Sequence, residues 1–332
     1  MPTKHGPKAF PQILADLADE KFPPRKQDLR ALSDLNAKQV AAFVEAWPKI
    51  STARRLTIMN DLGELAEETF DLDIRAVARA VLDDPDGEVR AGAIRNLWED
   101  EGVDLIDAFI VILNRDPASE ARAAAATALG QYIYLSQMEE IGPALAHKVE
   151  EALLAVYDGT DTLDIRRRAL ESLGFADQPE VTAAINQAYT SDDEQLQVSA
   201  LFAMGRSLNR ERWGRAVIEN LERGTPRIRF EAARAACELS LADAIPALGQ
   251  LIRDDDPEVK EISIWALGEI GGDDARELLQ NLLEDTDDEE LAEIIDDALA
   301  NTELMDGIAD FSLLGLDDDD EDDPRARQAR LN

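Results

Sequence analysis

The 332-residue sequence predicts an all-α fold, an α-solenoid in which about eight short two-helix units stack along the chain. Three observations lead there. Hydrophobic residues are 45% of the chain but aromatics only 5%. Ala and Leu dominate, and they lose little freedom in a helix where β-branched residues lose more. A frame in which an apolar residue or Ala precedes a small residue by nine positions recurs along the chain. Just upstream of several copies stands Asp or Thr followed by Pro, a cap and first-turn pair that starts a helix.

The chain opens on a segment, residues 1–50, that does not follow the frame. Two helical stretches, around Phe10 to Leu17 and Ala37 to Trp47, are separated by Pro23-Pro24, which helix interiors do not tolerate. With eight Lys or Arg against six Asp or Glu it is slightly basic, net +2. We read it as a helical N-terminal cap, since end repeats of an array need a polar outer face.

The repeats occupy residues 51–304. The clear copies run from Ala121 to Gly130, Ile165 to Gly174, Leu196 to Gly205, Ile228 to Cys237 and Val259 to Gly268. Weaker ones run from Arg54 to Gly63, Val89 to Trp98 and Leu291 to Ala300. The starting positions lie 35, 32, 44, 31, 32, 31 and 32 residues apart, and five spacings of 31 or 32 are not accidental. The 44 is assigned to a longer connection over Tyr132 to Ala144. Helix starts are expected at Asp84-Pro85, Asp116-Pro117, Thr225-Pro226 and Asp256-Pro257. The helix that follows carries apolar residues at helical spacing, such as Val259, Ile262, Ala266 and Ile270. A second amphipathic segment repeats with it: Ile252 and Leu283 are 31 residues apart. One unit of this size cannot bury its own apolar stripe, so the units must stack.

The frame of Asp-Pro, then Val-Arg or Val-Lys, then Ala-Leu-Gly, best seen from Asp256 to Gly271 and from Asp116 to Gly130, resembles HEAT repeats. In particular it is similar to the short variety found in phycobilisome lyases. The resemblance spans roughly residues 51–300. It implies a fold of the armadillo-like kind whose surface holds another protein. It also implies a second role, as a bilin-lyase-like or accessory protein for cofactor attachment or protein modification. The fold itself hosts many functions.

Charge narrows the partners. Lys and Arg number 34, Asp and Glu 70, and the net charge is −36. Such a surface repels nucleic acid and attracts basic partners. The charge is uneven. Residues 206–234 hold eight arginines and four glutamates, net +4, with Trp213 among them. Arg206, Arg210, Arg212, Trp213 and Arg215 are the candidate partner-binding residues, because guanidinium forks match carboxylates and phosphates. Arg90, Arg122, Arg166, Arg229 and Lys260 share one repeat position. There a cation is expected to pair with acids of an adjacent repeat, as a structural ladder. Arg166-Arg167-Arg168 point about 100° apart on a helix, so they read as a solvated face plus one ladder residue. At the far end, residues 273–323 hold 22 acidic residues and one Arg, net −21. Residues 305–332 are expected to be an acidic, largely disordered tail. Within it Phe311 to Leu316 reads either as a docking peptide or as a cap on the last helix. The acidic run Asp317 to Asp323 is a candidate ligand for the arginine island, an intramolecular docking.

Catalytic, cofactor and metal sites are not expected. A metal site built from repeated His-Glu pairs, as deoxyhypusine hydroxylase uses, needs histidines beyond His5 and His147, which precede Gly6 and Lys148. HEAT-like DNA glycosylases need a basic surface. The single Cys237 sits at the small-residue position and reads as a buried small hydrophobe, with no histidine to activate it. Trp98 and Trp265 are expected within repeat helices. The first residues lack the apolar core of a signal peptide, and no run of about 18 apolar residues suggests a membrane span. The simplest reading is a cytoplasmic protein, more plausibly not an enzyme.

Overall fold

Short amphipathic runs punctuated by caps become helices, and the computed structural model describes them over residues 8–69 and 71–313. No strand occurs among the described residues. Two short helices come first, α1 (Phe10–Ala18) and α2 (Lys26–Arg30), with the Pro23-Pro24 break between them. Sixteen more helices follow in alternation. The first helices of the pairs are α3 (Ala37–Ala46), α5 (Arg75–Val81), α7 (Asp104–Arg115), α9 (Pro143–Tyr157), α11 (Pro179–Tyr189), α13 (Arg210–Arg223), α15 (Ile245–Leu251) and α17 (Asp273–Asp285). The second helices are α4 (Thr52–Glu68), α6 (Gly87–Arg95), α8 (Ser119–Gln137), α10 (Leu163–Ser172), α12 (Glu194–Arg206), α14 (Pro226–Glu238), α16 (Pro257–Ile270) and α18 (Glu289–Leu313). All eight frame positions fall in second helices. The architecture is therefore the predicted α-solenoid of two-helix repeats.

The chain divides into two compact units, residues 1–184 and 185–332. In the first, α4, α6, α8 and α10 pack in succession as one layer, while α3 packs on α5 and α7 on α9 as the other. The apolar cluster under α1, α2 and α3 is continuous with that of α4 to α6. In the second unit α12, α14, α16 and α18 form one layer, and α13, α15 and α17 the other. Neighbouring second helices approach closely where the frame has its small residue. A Cβ on Gly268 would stand 2.9–3.1 Å from Ala298, and one on Gly205 would meet Ala235 at 3.0 Å and Glu238 at 2.5 Å. Glycine there lets adjacent second helices touch.

The structure departs from several local expectations. Thr225 and Asp256 do cap their helices, each followed by Pro. Asp84 and Asp116 do not: the caps there are Asp86 and Ala118, and both earlier aspartates are turned to other partners, described below. The 44-residue spacing comes mainly from helix, because α8 continues through Tyr132 to Gln137. The reason is burial: Tyr132, Ile133 and Leu135 are core, and the Tyr132 hydroxyl donates to the carbonyl oxygen of Gly102 at 3.1 Å. Trp98 is outside the helix it was assigned to, in the turn that follows α6, and 56% exposed. At the C-terminal end α18 runs to Leu313, so residues 305–313 of the expected tail are helical. The acidic run Asp317 to Asp323 lies outside the described residues.

Candidate partner-binding groove

Three of the five residues at the repeated cation position bridge neighbouring turns by hydrogen bonds and ion pairs. Arg90 donates through Nε to Asp116 at 2.7 Å and through Nη1 to the Asp84 carbonyl oxygen at 2.5 Å. Arg122 pairs with Asp161 at 2.6 Å and donates to the Leu113 carbonyl oxygen at 2.6 Å. Arg229 makes a bidentate pair with Asp254, both bonds 2.8 Å, and donates to the Gly224 carbonyl oxygen at 2.7 Å. Each guanidinium closes its own repeat's turn and grips the next turn. Arg166 keeps only the first half of this: it donates to the Tyr157 carbonyl oxygen at 2.7 Å and lies over the Tyr157 ring. Lys260 makes no ion pair among the described residues. Its next repeat offers Thr286 where Asp84, Asp116 and Asp254 stand elsewhere.

Two members of this ladder escaped the sequence reading. Arg55 occupies the same register in the first repeat and pairs with Asp84 at 3.2 Å, with side-chain exposures of 7% and 0%. Asp84 also accepts the Trp47 indole N–H at 2.7 Å. Gln197 holds the position in α12 and donates to the Ser191 carbonyl oxygen at 2.7 Å. For Arg55 the signal was present: Asp84 stands five residues before Val89, the next frame position. The electrostatics agree. Arg229 hydrogen bonds hold the Asp254 carboxyl below the usual range. At Asp116 burial works against ionisation, but the Arg90 bonds and the Ala118 N–H outweigh it and the carboxyl is also held low.

The arginine island is divided by the fold. Arg210, Arg212 and Arg215 lie exposed on α13, a first helix, where Arg215 pairs with Glu219 at 2.9 Å. Trp213 is on the same helix but turned inward, 4% exposed. It is core and presents no ring to a partner, because its position shares the buried stripe of Val217 and Leu221. Arg206 lies instead on α12, in the second-helix layer, with its guanidinium 4.5 Å from the centre of the Phe202 ring. Arg234 of α14 covers Phe202 at 3.9 Å and pairs with Glu231 at 2.6 Å. Of the Arg166-Arg167-Arg168 cluster, Arg167 and Arg168 both pair with Glu171, at 3.4 and 3.0 Å. Cys237 is half-buried rather than fully buried, and burial pushes its thiol up to about 12, far from a reactive thiolate.

The second-helix layer of residues 185–332 carries a feature not read from sequence. An open groove of about 1020 Å³ is lined by α14, α16 and α18. Its apolar lining includes Phe230, Ile262, Trp265, Ile294 and Leu304. Trp265 is 42% exposed and Leu304 60%. On α16, Glu258, Glu261, Ile262, Trp265 and Glu269 recur at one helical face, opposite the buried Val259, Ser263 and Leu267. Glu258, Glu261, Glu269 and Asp297 supply the carboxylates, and none makes an ion pair among the described residues. Glu269 accepts a hydrogen bond from Asn301 at 2.7 Å. Arg234 is the cation of the lining, already spent on Glu231 and Phe202.

This geometry of stacked helix pairs has matches among known proteins. The profile of HEAT repeats matches residues 74–147 and 214–300. Across those two stretches the chain carries HEAT repeats. Among solved structures it is similar to Kap95p, in a structure concerned with its binding to RanGDP, at 14% identity and TM-score 0.50; the match covers 94% of this chain and 48% of Kap95p. The chain thus spans about half the length of that relative. It is also similar to the CpcE–CpcF complex of phycocyanin lyase from Nostoc sp. PCC7120, at 19% identity, 69% of this chain, 94% of that one and TM-score 0.44. Human deoxyhypusine hydroxylase matches at 20% identity, 79% of this chain, 95% of that one and TM-score 0.34. At such identities the likeness is one of fold. No curated protein sequence matches. No helix among the described residues is long and apolar enough to cross a membrane.

Proposed function

We propose that this protein is a non-enzymatic scaffold or adaptor that holds a protein partner on the second-helix layer of residues 185–332. One observation carries the reading: three successive second helices, α14, α16 and α18, line an apolar groove of about 1020 Å³ over which Trp265 and Leu304 are exposed. Apolar surface rimmed by polar residues is a feature of interaction sites. Aromatic residues are also the side chains on which interface energy concentrates. The experiment is a native pull-down at moderate salt with the wild-type chain and a Trp265→Ala, Leu304→Ala variant. Recovery of a stoichiometric protein by the first and not the second supports the reading. Equal recovery by both moves the binding surface elsewhere. Uptake of an added bilin with visible absorbance would favour a pigment-accessory role instead.

In the same reading, residues 1–50 cap the array. The exposed Arg210, Arg212 and Arg215 of α13 are a separate surface for which the acidic run Asp317–Asp323 is a candidate intramolecular ligand. Unchanged hydrogen exchange across α13 after truncation at Leu316 would remove that contact.

A further inference from the structure

We infer that the occupant of the α14–α16–α18 groove is a cationic amphipathic segment. One or two large apolar side chains would seat against Trp265, Ile262 and Leu304, and Lys or Arg side chains would reach the surrounding carboxylates. The inference rests on the scaffold reading above and specifies what that scaffold takes.

Charge selects the class. The lining carries four carboxylates, Glu258, Glu261, Glu269 and Asp297, and one cation, Arg234. Arg234 is held by Glu231 at 2.6 Å and by the Phe202 ring at 3.9 Å, so little of its charge faces the groove. An acidic occupant would therefore meet unbalanced like charge. That applies to the chain's own run Asp317–Asp323 as much as to any foreign acidic peptide. A basic occupant meets complementary potential, which speeds encounter and rejects wrong partners.

Apolar surface selects the rest of the description. A purely polar cationic peptide would leave Ile262, Ile294, Leu304 and the Trp265 ring in water. The exposed carboxylate contacts are each weak and salt-screened. Affinity must then come from an apolar anchor on the indole and its neighbours, while the carboxylates choose the sign of the partner. The Trp265 face can serve both parts, because an indole accepts a cation as well as an aliphatic side chain.

The test uses the full chain with Trp98→Phe, which leaves Trp265 as the exposed indole, since Trp47 and Trp213 are buried. Three synthetic helical peptides of equal length are titrated, patterned with Lys and Leu, Glu and Leu, or Lys and Ser. Binding is read from tryptophan emission and by calorimetry. The expected result is a blue shift with the Lys/Leu peptide only, binding at least about tenfold tighter than either control. That binding weakens as salt rises. A Glu261→Lys, Asp297→Lys variant changes two exposed positions and should not disturb folding; it is expected to lose or reverse the preference. Equal binding of the Glu/Leu or Lys/Ser peptide overturns the inference, as does binding by calorimetry with no change in Trp265 emission. If a pull-down partner is lost in the Trp265→Ala variant but the peptides show no preference, the occupant class is wrong and the scaffold stands. If no partner depends on Trp265 and no peptide binds, both fall.

Discussion

The two units build the same helix pairs but use their charges differently. In residues 1–184 the ladder position is Arg four times, and three of these pair with an Asp of the following turn, as Arg55–Asp84, Arg90–Asp116 and Arg122–Asp161. In residues 185–332 it is Gln197, Arg229 and Lys260, and Arg229–Asp254 is the one ion pair of this ladder among the described residues. The opposite holds on the open face. Six residues after each frame position, the first unit has Asn60, Arg95, Thr127 and the buried Glu171, whereas the second sets Phe202 and Trp265 beside Arg234 and Asp297. One unit spends its ions on internal geometry. The other leaves apolar surface and uncompensated carboxylates for something outside itself. Charge count alone hides this division, because ladder and groove draw on the same residue types.

The comparison can be broken at its strongest point. Replacing Asp84 with Ala would strand the buried Arg55 and the Trp47 indole N–H. A loss of about 3–5 kcal/mol is expected for breaking a buried pair. Denaturant unfolding and hydrogen exchange over residues 1–184 would measure it. A loss below about 1 kcal/mol would show that the first unit does not depend on its ladder. Next comes Gly268→Val in the second unit, whose side chain would press on Ala298 of α18. Overpacking of this kind costs about 1–3 kcal/mol, and the groove should lose its peptide affinity because α16 and α18 part.

Acid should reveal the ladder directly. Asp116 and Asp254 are held below the ordinary carboxyl range, so folding gains stability at any pH above the unfolded value of about 3.9. That stability is lost as pH falls through the depressed folded values. Arg90→Gln and Arg229→Gln should therefore be weaker than wild type near neutrality and approach it near pH 2, as followed by pH-dependent thermal melts. The smallest effect is expected at the ladder's end. Lys260→Ala should change stability by no more than about 0.5 kcal/mol, as for a half-buried position with no ion pair among the described residues. A large loss there would mean that the second unit has a ladder contact after all.

Much of the fold could be read from periodicity alone. All eight frame positions lie in second helices, and the glycines at their ends do set close helix contacts. The readings that failed depended on register within a turn. Asp-Pro looks like a cap and first turn, but at Asp84 and Asp116 the helix starts later, and the aspartate is more valuable to a neighbouring guanidinium. Trp213 and the arginines around it looked like one surface because they are adjacent in sequence. On a helix, adjacency sends side chains to different faces, and only spacings of three or four bring them together. The groove was illegible for the same reason: Phe230, Trp265 and Leu304 lie on three different repeats and share no local motif.

The sequence by itself determined the helical class, the number of repeats and the ladder's cation position, because each is a property of local spacing repeated many times. Only the tertiary structure decided which charges are consumed and which remain available. That outcome depends on which carboxylate of one repeat meets which guanidinium of the next, across 25 to 39 residues of chain. It also decided where apolar side chains from separate repeats converge, since stacking, and not sequence order, brings α14, α16 and α18 side by side.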